Sequence, residues 1–302
     1  MSSVLFDAPG PRARRRIRIL NVVGALVVLG VLAWVVVGLA RQEQFTADKW
    51  LPFVRPGEEN IWTDYLLLGL WNTLRAAAVS IITSLVFGLA FGLGRLSNLA
   101  PVRWICGIVV EFFRSVPVLI MMIFFWLLFA TSVPFVPSGE SPFLAVVCGL
   151  TLYNGSVIAE LVRSGVHNLP KGQREAALAI GLTHGRSRRI IELPQALISM
   201  MPSLVSQLVV ILKDTALGAI ITYSELLRSA QISATFFQNF IPALLVVAVV
   251  YIIVNFLLTT LAGRLARRLD RRTAGGARTA GTIPGAAPDL HSASVPDAGP
   301  GR

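Results

Sequence analysis

Ionisable side chains inside apolar stretches are the first chemically informative feature of this 302-residue sequence. Arg75 lies inside one such stretch, while Lys213 and Asp214 lie inside another. A charged side chain in hydrocarbon costs a few kcal/mol or more, so each of these residues is expected to have an ion-pair partner or a function. A guanidinium or ammonium group in a low-dielectric cavity binds a carboxylate well. We therefore predict a substrate pathway for a carboxylate-bearing solute, formed by Asn72, Thr73, Arg75, Gln207, Lys213, Asp214 and Thr215.

A polar stripe accompanies Lys213 along its apolar stretch. Its members recur at spacings of three, four and seven residues and are Ser199, Ser203, Ser206, Gln207 and Lys213. Polar groups facing lipid would lack partners, so the stripe is predicted to line a pathway, although small serines also serve helix packing. An alternative stays open for the charges. In it, Lys213 extends its ammonium to the membrane surface and Arg75 pairs with Asp214.

Two further pairs of opposite charge are spaced three residues apart, namely Glu111 with Arg114 and Glu160 with Arg163. Side chains at positions i and i+3 of a helix lie on one face and form ion pairs. We predict that these pairs hold helices together or stabilise an inner gate region, and that they do not bind the solute.

The composition places the chain among membrane proteins. Hydrophobic residues make up 54% of it, charged residues 14%, and the mean hydropathy is +0.69, which is far from a soluble domain. Six apolar runs are long enough to cross about 30 Å of hydrocarbon. They cover residues 19–40, 66–93, 105–130, 142–161, 196–222 and 241–261. The predicted fold is an all-α, polytopic membrane bundle of six transmembrane helices.

Basic residues predict one orientation for all six spans. Arginines concentrate in residues 1–18, in the turn after the second span, in residues 163–194 and after the sixth span, and such residues mark the cytoplasmic side. The net charge of +11 is therefore interpreted as a topology signal and not as a nucleic-acid surface. We predict a cytoplasmic basic N-terminus over residues 1–18, an uncleaved extra helix over 19–40, and a disordered cytoplasmic tail over 273–302.

Neither cysteine nor histidine spacing indicates a special site. Cys106 and Cys148 lie in apolar stretches without a disulfide pattern, and the histidines at 167, 184 and 291 lack the spacing of metal ligands. We predict no metal in this chain.

The basic loop, residues 163–194, connects the fourth and fifth spans. Pro170 suits the first turn of a helix, residues 173–180 are good helix formers, and Gly181 is a natural stop. A second short helix is predicted to end at Pro194. A helix of about two turns is unstable alone in water, so we expect the first one to rest in another structure.

Fixed spacing within the basic loop carries a family resemblance. The residues concerned are Glu175, Ala176, Ala177, Gly181, Ile191, Leu193 and Pro194. The chain resembles the permease subunits of ATP-binding-cassette (ABC) importers, whose cytoplasmic loop reads EAA, three residues, G, nine residues, I-x-L-P. These seven residues are the ATPase-coupling residues that the resemblance implies.

Three more stretches extend the resemblance to residues 62–268, the five-helix core of the polar-amino-acid subfamily. They are GLWNTLRAA at 69–77, VEFFRSVP at 110–117 and VILKDTALGAII at 210–221. RSVP stands where the family usually has RGTP, which leaves the role of Ser115 open. The first span and the tail lie outside the core, and with them the chain looks most like an actinobacterial glutamate-type permease.

The resemblance implies transport of a polar amino acid, here glutamate or aspartate, across the bacterial plasma membrane by alternating access. Its implied partners are a cytoplasmic ATPase dimer that holds ATP and Mg, a second identical or paralogous permease, and an extracytoplasmic solute-binding protein. The chain itself has no phosphate-binding G-x-x-x-x-G-K-[ST] loop, because none of Lys49, Lys171 and Lys213 follows a glycine. We expect no cofactor in this chain and no enzymatic activity of its own.

The chief alternative is a secondary amino-acid transporter driven by an ion gradient. Such a protein needs intramembrane carboxylates near the midplane and often contains internal repeats. The sequence shows no duplicated hydropathy halves, and the helix of the basic loop would have no task. An intramembrane enzyme is disfavoured, since no span contains a Ser/His pair, an HExxH motif or paired aspartates.

Overall fold

Helices account for all the regular structure that we observe. The computed structural model describes residues 10–55, 60–134, 136–137 and 139–277, and these form twelve α-helices without a strand. The first six are α1 (Pro11–Arg41), α2 (Ala47–Val54), α3 (Leu67–Arg95), α4 (Ala100–Ser115), α5 (Val118–Thr131) and α6 (Ser141–His167). The others are α7 (Lys171–Ala179), α8 (His184–Ser187), α9 (Leu193–Ser199), α10 (Met201–Asp214), α11 (Leu226–Phe236) and α12 (Phe240–Ala277). The all-α prediction is confirmed.

Five stretches of the described chain are long and apolar enough to cross a membrane as single helices, and one bent pair adds a sixth. The five are Pro11–Arg41, Ile61–Arg95, Ser141–His167, Met201–Ile221 and Phe240–Arg268. The bent pair consists of α4 and α5, whose axes meet at 98°. The predicted six-span bundle is therefore confirmed when α4 and α5 count together as the third span.

The third span is wrong as a straight helix over residues 105–130. Its two halves are separated at Val116, whose φ of −87° and ψ of 128° are extended. Pro117 causes this break, because a proline disfavours the helical conformation in the residue before it and offers no N–H to the helix.

The fifth span is likewise wrong as one helix over residues 196–222. It consists of α9, α10 and a tight 3₁₀ turn, Thr215–Ile221. Pro194 lies in the first turn of α9 and so begins a helix instead of ending one, since the N–H that proline lacks has no partner at that position. The short helices α2 and α11 were not predicted.

The two ends of the chain extend beyond their predicted elements. α1 begins at Pro11, so part of the basic N-terminus is helical, and α12 continues to Ala277, so residues 273–277 are helical and not part of a disordered tail. The rest of that predicted tail, 278–302, lies outside the described residues, as do residues 1–9. α1 contributes no buried residue.

The core of the bundle lies between α3 and α6. Five small buried residues of α3 recur every four positions, namely Ala76, Ser80, Ser84, Gly88 and Gly92. A Cβ atom on Gly88 would collide with Ile158 of α6, and one on Gly92 would collide with Val162. Small residues let membrane helices approach closely, so van der Waals contact holds this pair together.

Candidate coupling loop and transport pathway

α7 presents an exposed face at the basic-loop end of the bundle. Glu175 and Ala176 are exposed, whereas Ala177 is only 1% exposed and contacts the chain beneath. The helix ends in a Schellman motif, in which the Gly181 N–H donates to the Leu178 carbonyl at 3.0 Å and the Leu182 N–H donates to the Ala177 carbonyl at 3.1 Å. Gly181 has a φ of +85°, so its predicted role as the helix stop is confirmed.

The rest of the basic loop is fastened to the bundle. Buried Ser187 donates from its Oγ to the Oε1 of buried Glu192 at 2.7 Å. The Arg188 guanidinium donates to the Leu96 carbonyl and to the Oδ1 of Asn98, in the turn between α3 and α4. These hydrogen bonds join the loop to that turn. No sequence pattern predicts these contacts, since 92 positions separate Arg188 from Leu96.

The coupling residues after Gly181 belong to this fastened part. Leu193 packs with Leu96, Val166 and Ala196, while Ile191 and Pro194 are half-buried. The loop thus has two parts, an exposed helix before Gly181 and an anchored segment after it. Of the seven residues predicted to couple to an ATPase, Glu175, Ala176 and Gly181 are exposed, whereas Ala177 is buried against the bundle.

An ion-pair cluster joins α3, α4 and α6 at the same end. Arg95 binds Glu160 at 2.8 Å and Glu111 at 3.1 Å, while Arg114 lies 3.4 Å from Glu111 and 3.7 Å from Glu160. Arg163 donates to the Glu160 carboxylate from Nε and from Nη2. The two predicted i,i+3 pairs are confirmed, but Arg95 makes them one network across three helices, which spacing alone did not show.

Removing the Glu160 carboxylate is expected to destabilise this network. Glu160→Gln leaves three guanidinium groups facing a single carboxylate, so we expect the thermal midpoint in detergent to fall by about 5 °C. Glu111→Gln is the matched control, because the Glu111 side chain is 57% exposed, against 23% for Glu160, and solvent screens its pairs. We expect a smaller fall for Glu111→Gln than for Glu160→Gln. Equal falls of the thermal midpoint in the two variants, measured by scanning fluorimetry, would contradict this expectation.

Arg75 forms a polar cluster at the opposite end of the bundle. Its Nη2 lies 2.6 Å from the Oε2 of Glu140, and its guanidinium carbon lies 3.9 Å from the centre of the Phe143 ring. Tyr223 closes the cluster by donating from its hydroxyl to the Asn72 carbonyl at 2.8 Å. Burial raises the pKa of Tyr223 to about 12, so the phenol remains a neutral donor.

The pairing of Arg75 corrects the open alternative in the sequence interpretation. Arg75 binds Glu140 and not Asp214. Glu140 precedes α6 in the connection after α5 and lies outside every apolar stretch, so the charges within the spans do not indicate it as a partner. The side chains of Arg75 and Glu140 are 36% and 48% exposed, so solvent still reaches the pair.

Thr73 and Thr215 are buried, at 1% and 0% exposure, and lie beside the phenol of Tyr251. The Thr73 hydroxyl accepts from the Leu226 N–H at 3.0 Å, and the Thr215 hydroxyl donates to the Leu212 carbonyl at 2.6 Å. Both threonines thus have partners inside the chain and present no open surface. They differ in this from Arg75, whose side chain is 36% exposed.

Glu225 organises the same buried region. It caps α11 by accepting from the N–H groups of Leu227 at 2.9 Å and Arg228 at 2.7 Å, and it accepts from the Tyr251 hydroxyl at 2.7 Å. Burial raises the pKa of Glu225, and the hydrogen bonds oppose that rise. The carboxylate therefore ties α11 to α12, a role that the sequence did not indicate because α11 was not predicted.

Loss of this cap is expected to be costly. Glu225→Ala leaves two helix N–H groups and a buried phenol without their acceptor, so we expect about 3 kcal/mol of lost stability and a fall of about 10 °C in the thermal midpoint. Tyr251→Phe removes one hydrogen bond and keeps the cap, so its midpoint should fall by about 3 °C. A larger shift for Tyr251→Phe than for Glu225→Ala would contradict the capping role.

The polar stripe of the fifth span divides at Met200, between α9 and α10. Ser203, Ser206 and Lys213 are exposed on α10, and Lys213 has no ion-pair partner within the described part of the chain. Gln207 instead donates to the Oδ1 of buried Asn154 in α6 at 2.5 Å. Asp214 is half-buried beside Lys213. The exposed part of the stripe therefore consists of Ser199 on α9 and one face of α10.

The comparisons with known proteins agree with this architecture. Residues 84–271 match the family model described as the inner membrane component of binding-protein-dependent transport systems. The glutamate transport system permease protein GluD of Corynebacterium glutamicum is 49% identical over 218 residues, which are 72% of this chain and 78% of the relative. The glutamate/aspartate import permease protein GltK of Escherichia coli is 31% identical over 170 residues, which are 55% and 76% of the two chains.

A solved structure extends the agreement to the fold. An amino acid ABC transporter, crystallised with histidines, superposes with a TM-score of 0.61 at 25% identity, covering 68% of this chain and 95% of that one. The resemblance read from the basic loop is thus confirmed. The chain belongs to the family of binding-protein-dependent transport system inner membrane components, as a multi-pass permease subunit of an amino-acid ABC importer whose ATP hydrolysis takes place in a separate subunit.

Proposed function

We propose that this permease imports acidic amino acids, glutamate or aspartate, by alternating access. The observation that carries the substrate class is the Arg75 cluster, in which an accessible guanidinium is already paired with a carboxylate, that of Glu140. A substrate carboxylate can take the same place, because guanidinium binds carboxylates in a planar, two-pronged geometry. The permeases GluD and GltK, named for glutamate and aspartate, support the same choice.

The proposed pathway continues from Arg75 along the exposed face of α10. Lys213 offers a second cation there, and Ser203 and Ser206 offer hydroxyls. Such groups are unfavourable against lipid tails, so this face is assigned to the pathway between two permease subunits. Asn72 shapes the entrance through its hydrogen bonds with Tyr223 and Ser224.

The proposed drive comes from a cytoplasmic ATPase dimer that binds ATP and Mg and docks on α7. Ala176 permits close approach and Glu175 can pair with a basic residue, since both are exposed. Closure of the dimer then pushes α7, and the contacts of Arg188 with the α3–α4 turn pass the motion to the bundle. The basic-loop end and both termini are accordingly assigned to the cytoplasm, and an extracytoplasmic binding protein delivers the solute to the Arg75 end.

Co-purification from the native membrane in mild detergent tests this proposal. The partners are identified by mass, and ATPase activity is measured with binding protein and a panel of glutamate, aspartate, glutamine and arginine. We expect an associated ATPase that glutamate and aspartate stimulate. Absence of an ATPase, together with uptake that a proton ionophore abolishes, would overturn the mechanism in favour of a secondary transporter. Stimulation by glutamine or arginine alone would overturn the substrate class.

A further inference from the structure

A cleft of about 620 Å³ opens between α4 and α6 at the basic-loop end of the bundle. Cationic and apolar side chains line it together, among them Arg103, Trp104, Ile108, Arg163 and His167. Arg95 and Glu111 of the ion-pair cluster line it as well, and no proposed step of transport uses it.

Positive charge is in excess around this cleft. Arg95, Arg114 and Arg163 share two carboxylates, those of Glu111 and Glu160. Arg103 adds a fourth guanidinium, whose recorded contact is a hydrogen bond from Nη1 to the Ser97 carbonyl at 3.1 Å. No carboxylate pairs with Arg103 among the residues that the structure describes. The cleft therefore attracts an anion.

The wall of the cleft is apolar and continuous with the outer surface of α4. Trp104, Ile108 and Phe112 recur every four residues and are 69%, 62% and 61% exposed. Arg103, one position before Trp104, borders this stripe. A tryptophan beside arginine at the end of an apolar stripe is typical of the boundary between lipid headgroups and acyl chains. Because of the 98° bend between them, α4 and α5 run in different directions.

The geometry points to a binding site for one anionic phospholipid, with its phosphate at Arg103 and one acyl chain along Trp104, Ile108 and Phe112. A water-soluble anion would use the charge and leave the apolar wall uncovered, whereas a phospholipid matches both. Basic pockets between transmembrane helices bind anionic headgroups in this way. The inference depends on membrane insertion of the chain and not on its proposed substrate.

Native mass spectrometry of the full chain in mild detergent tests the site, with phosphatidylglycerol and phosphatidylcholine as probes. We expect phosphatidylglycerol to bind at least about fivefold more tightly than phosphatidylcholine, since one arginine near a headgroup contributes about 1 kcal/mol. Arg103→Gln should remove that preference. Arg264→Gln is the matched control, because Arg264 is exposed on α12 and does not line the cleft, and it should keep the preference.

Three outcomes would overturn the proposal. Equal losses in Arg103→Gln and Arg264→Gln would show a diffuse charge effect in place of a site. Displacement of phosphatidylglycerol by glycerol 1-phosphate would identify a site for a soluble anion. Lipid-free dimers that dissociate in Arg103→Gln and persist in Arg264→Gln would assign the cleft to a second copy. In Trp104→Ala we expect weaker retention of both lipids, because the apolar wall contacts either one, and unchanged retention would also count against the proposal.

Discussion

Gly181→Val is expected to reduce ATP-driven glutamate uptake by at least about tenfold while the protein stays folded in the membrane. The Gly181 φ of +85° is strained for any residue with a Cβ and most of all for a β-branched one, at about 1–3 kcal/mol. The loop can relieve this strain only by changing the direction in which it leaves α7. The exposed helix would then meet the ATPase at the wrong angle, because the segment after Gly181 is anchored through Ser187 and Arg188.

A second glycine of the same loop, Gly185, provides the control for this prediction. Gly185→Val introduces the same side chain four positions later, where φ is not positive and no atom lies within 4 Å of the added Cβ. We expect uptake close to wild type for it. Gly181→Asn should recover part of the activity, since asparagine tolerates the left-handed conformation. Normal ATPase co-purification and full uptake in Gly181→Val would contradict the docking role of α7.

Arg75→Gln is expected to lower glutamate uptake at saturating binding protein by about tenfold to a hundredfold. The variant keeps a hydrogen-bonding side chain but loses the charge, and a hydrogen bond to a charged group contributes about 1.5–3 kcal/mol. Arg75→Lys should recover only part of the uptake, because an ammonium lacks the planar fork and stacks less well on Phe143. Transport assays in proteoliposomes with labelled glutamate provide the measurement.

Glu140→Gln separates a substrate-binding Arg75 from a structural one. If Glu140 holds the place of the substrate carboxylate, its neutralisation frees the guanidinium, and uptake should remain at or above the wild-type level. A purely structural ion pair would instead make Glu140→Gln as defective as Arg75→Gln, and that outcome would remove Arg75 from the pathway. The double variant Arg75→Gln/Glu140→Gln completes a double-mutant cycle. It shows whether the two substitutions affect uptake independently.

The breaks in the third and fifth spans have a signal in the sequence that hydropathy does not detect. Pro117 and Pro202 both interrupt apolar runs that hydropathy alone joins into single helices. Length and apolarity are properties of a window, whereas a proline acts on one peptide bond and on the residue before it. The helix stop at Gly181 and the helix break at Pro117 are therefore both local effects of a single residue.

The sequence by itself determined the membrane class, the span count and the EAA loop with its stop at Gly181. These features depend on neighbouring residues alone, since a left-handed turn or an apolar run is specified within a few positions. Tertiary structure decided which charges meet. Arg75 and Glu140 are 65 positions apart, and Arg95 reaches Glu160 only because α3 and α6 pack closely along Gly88 and Gly92. The rotation of a helix about its axis is set by that packing, so the partners of a buried charge become known only once the helices are assembled.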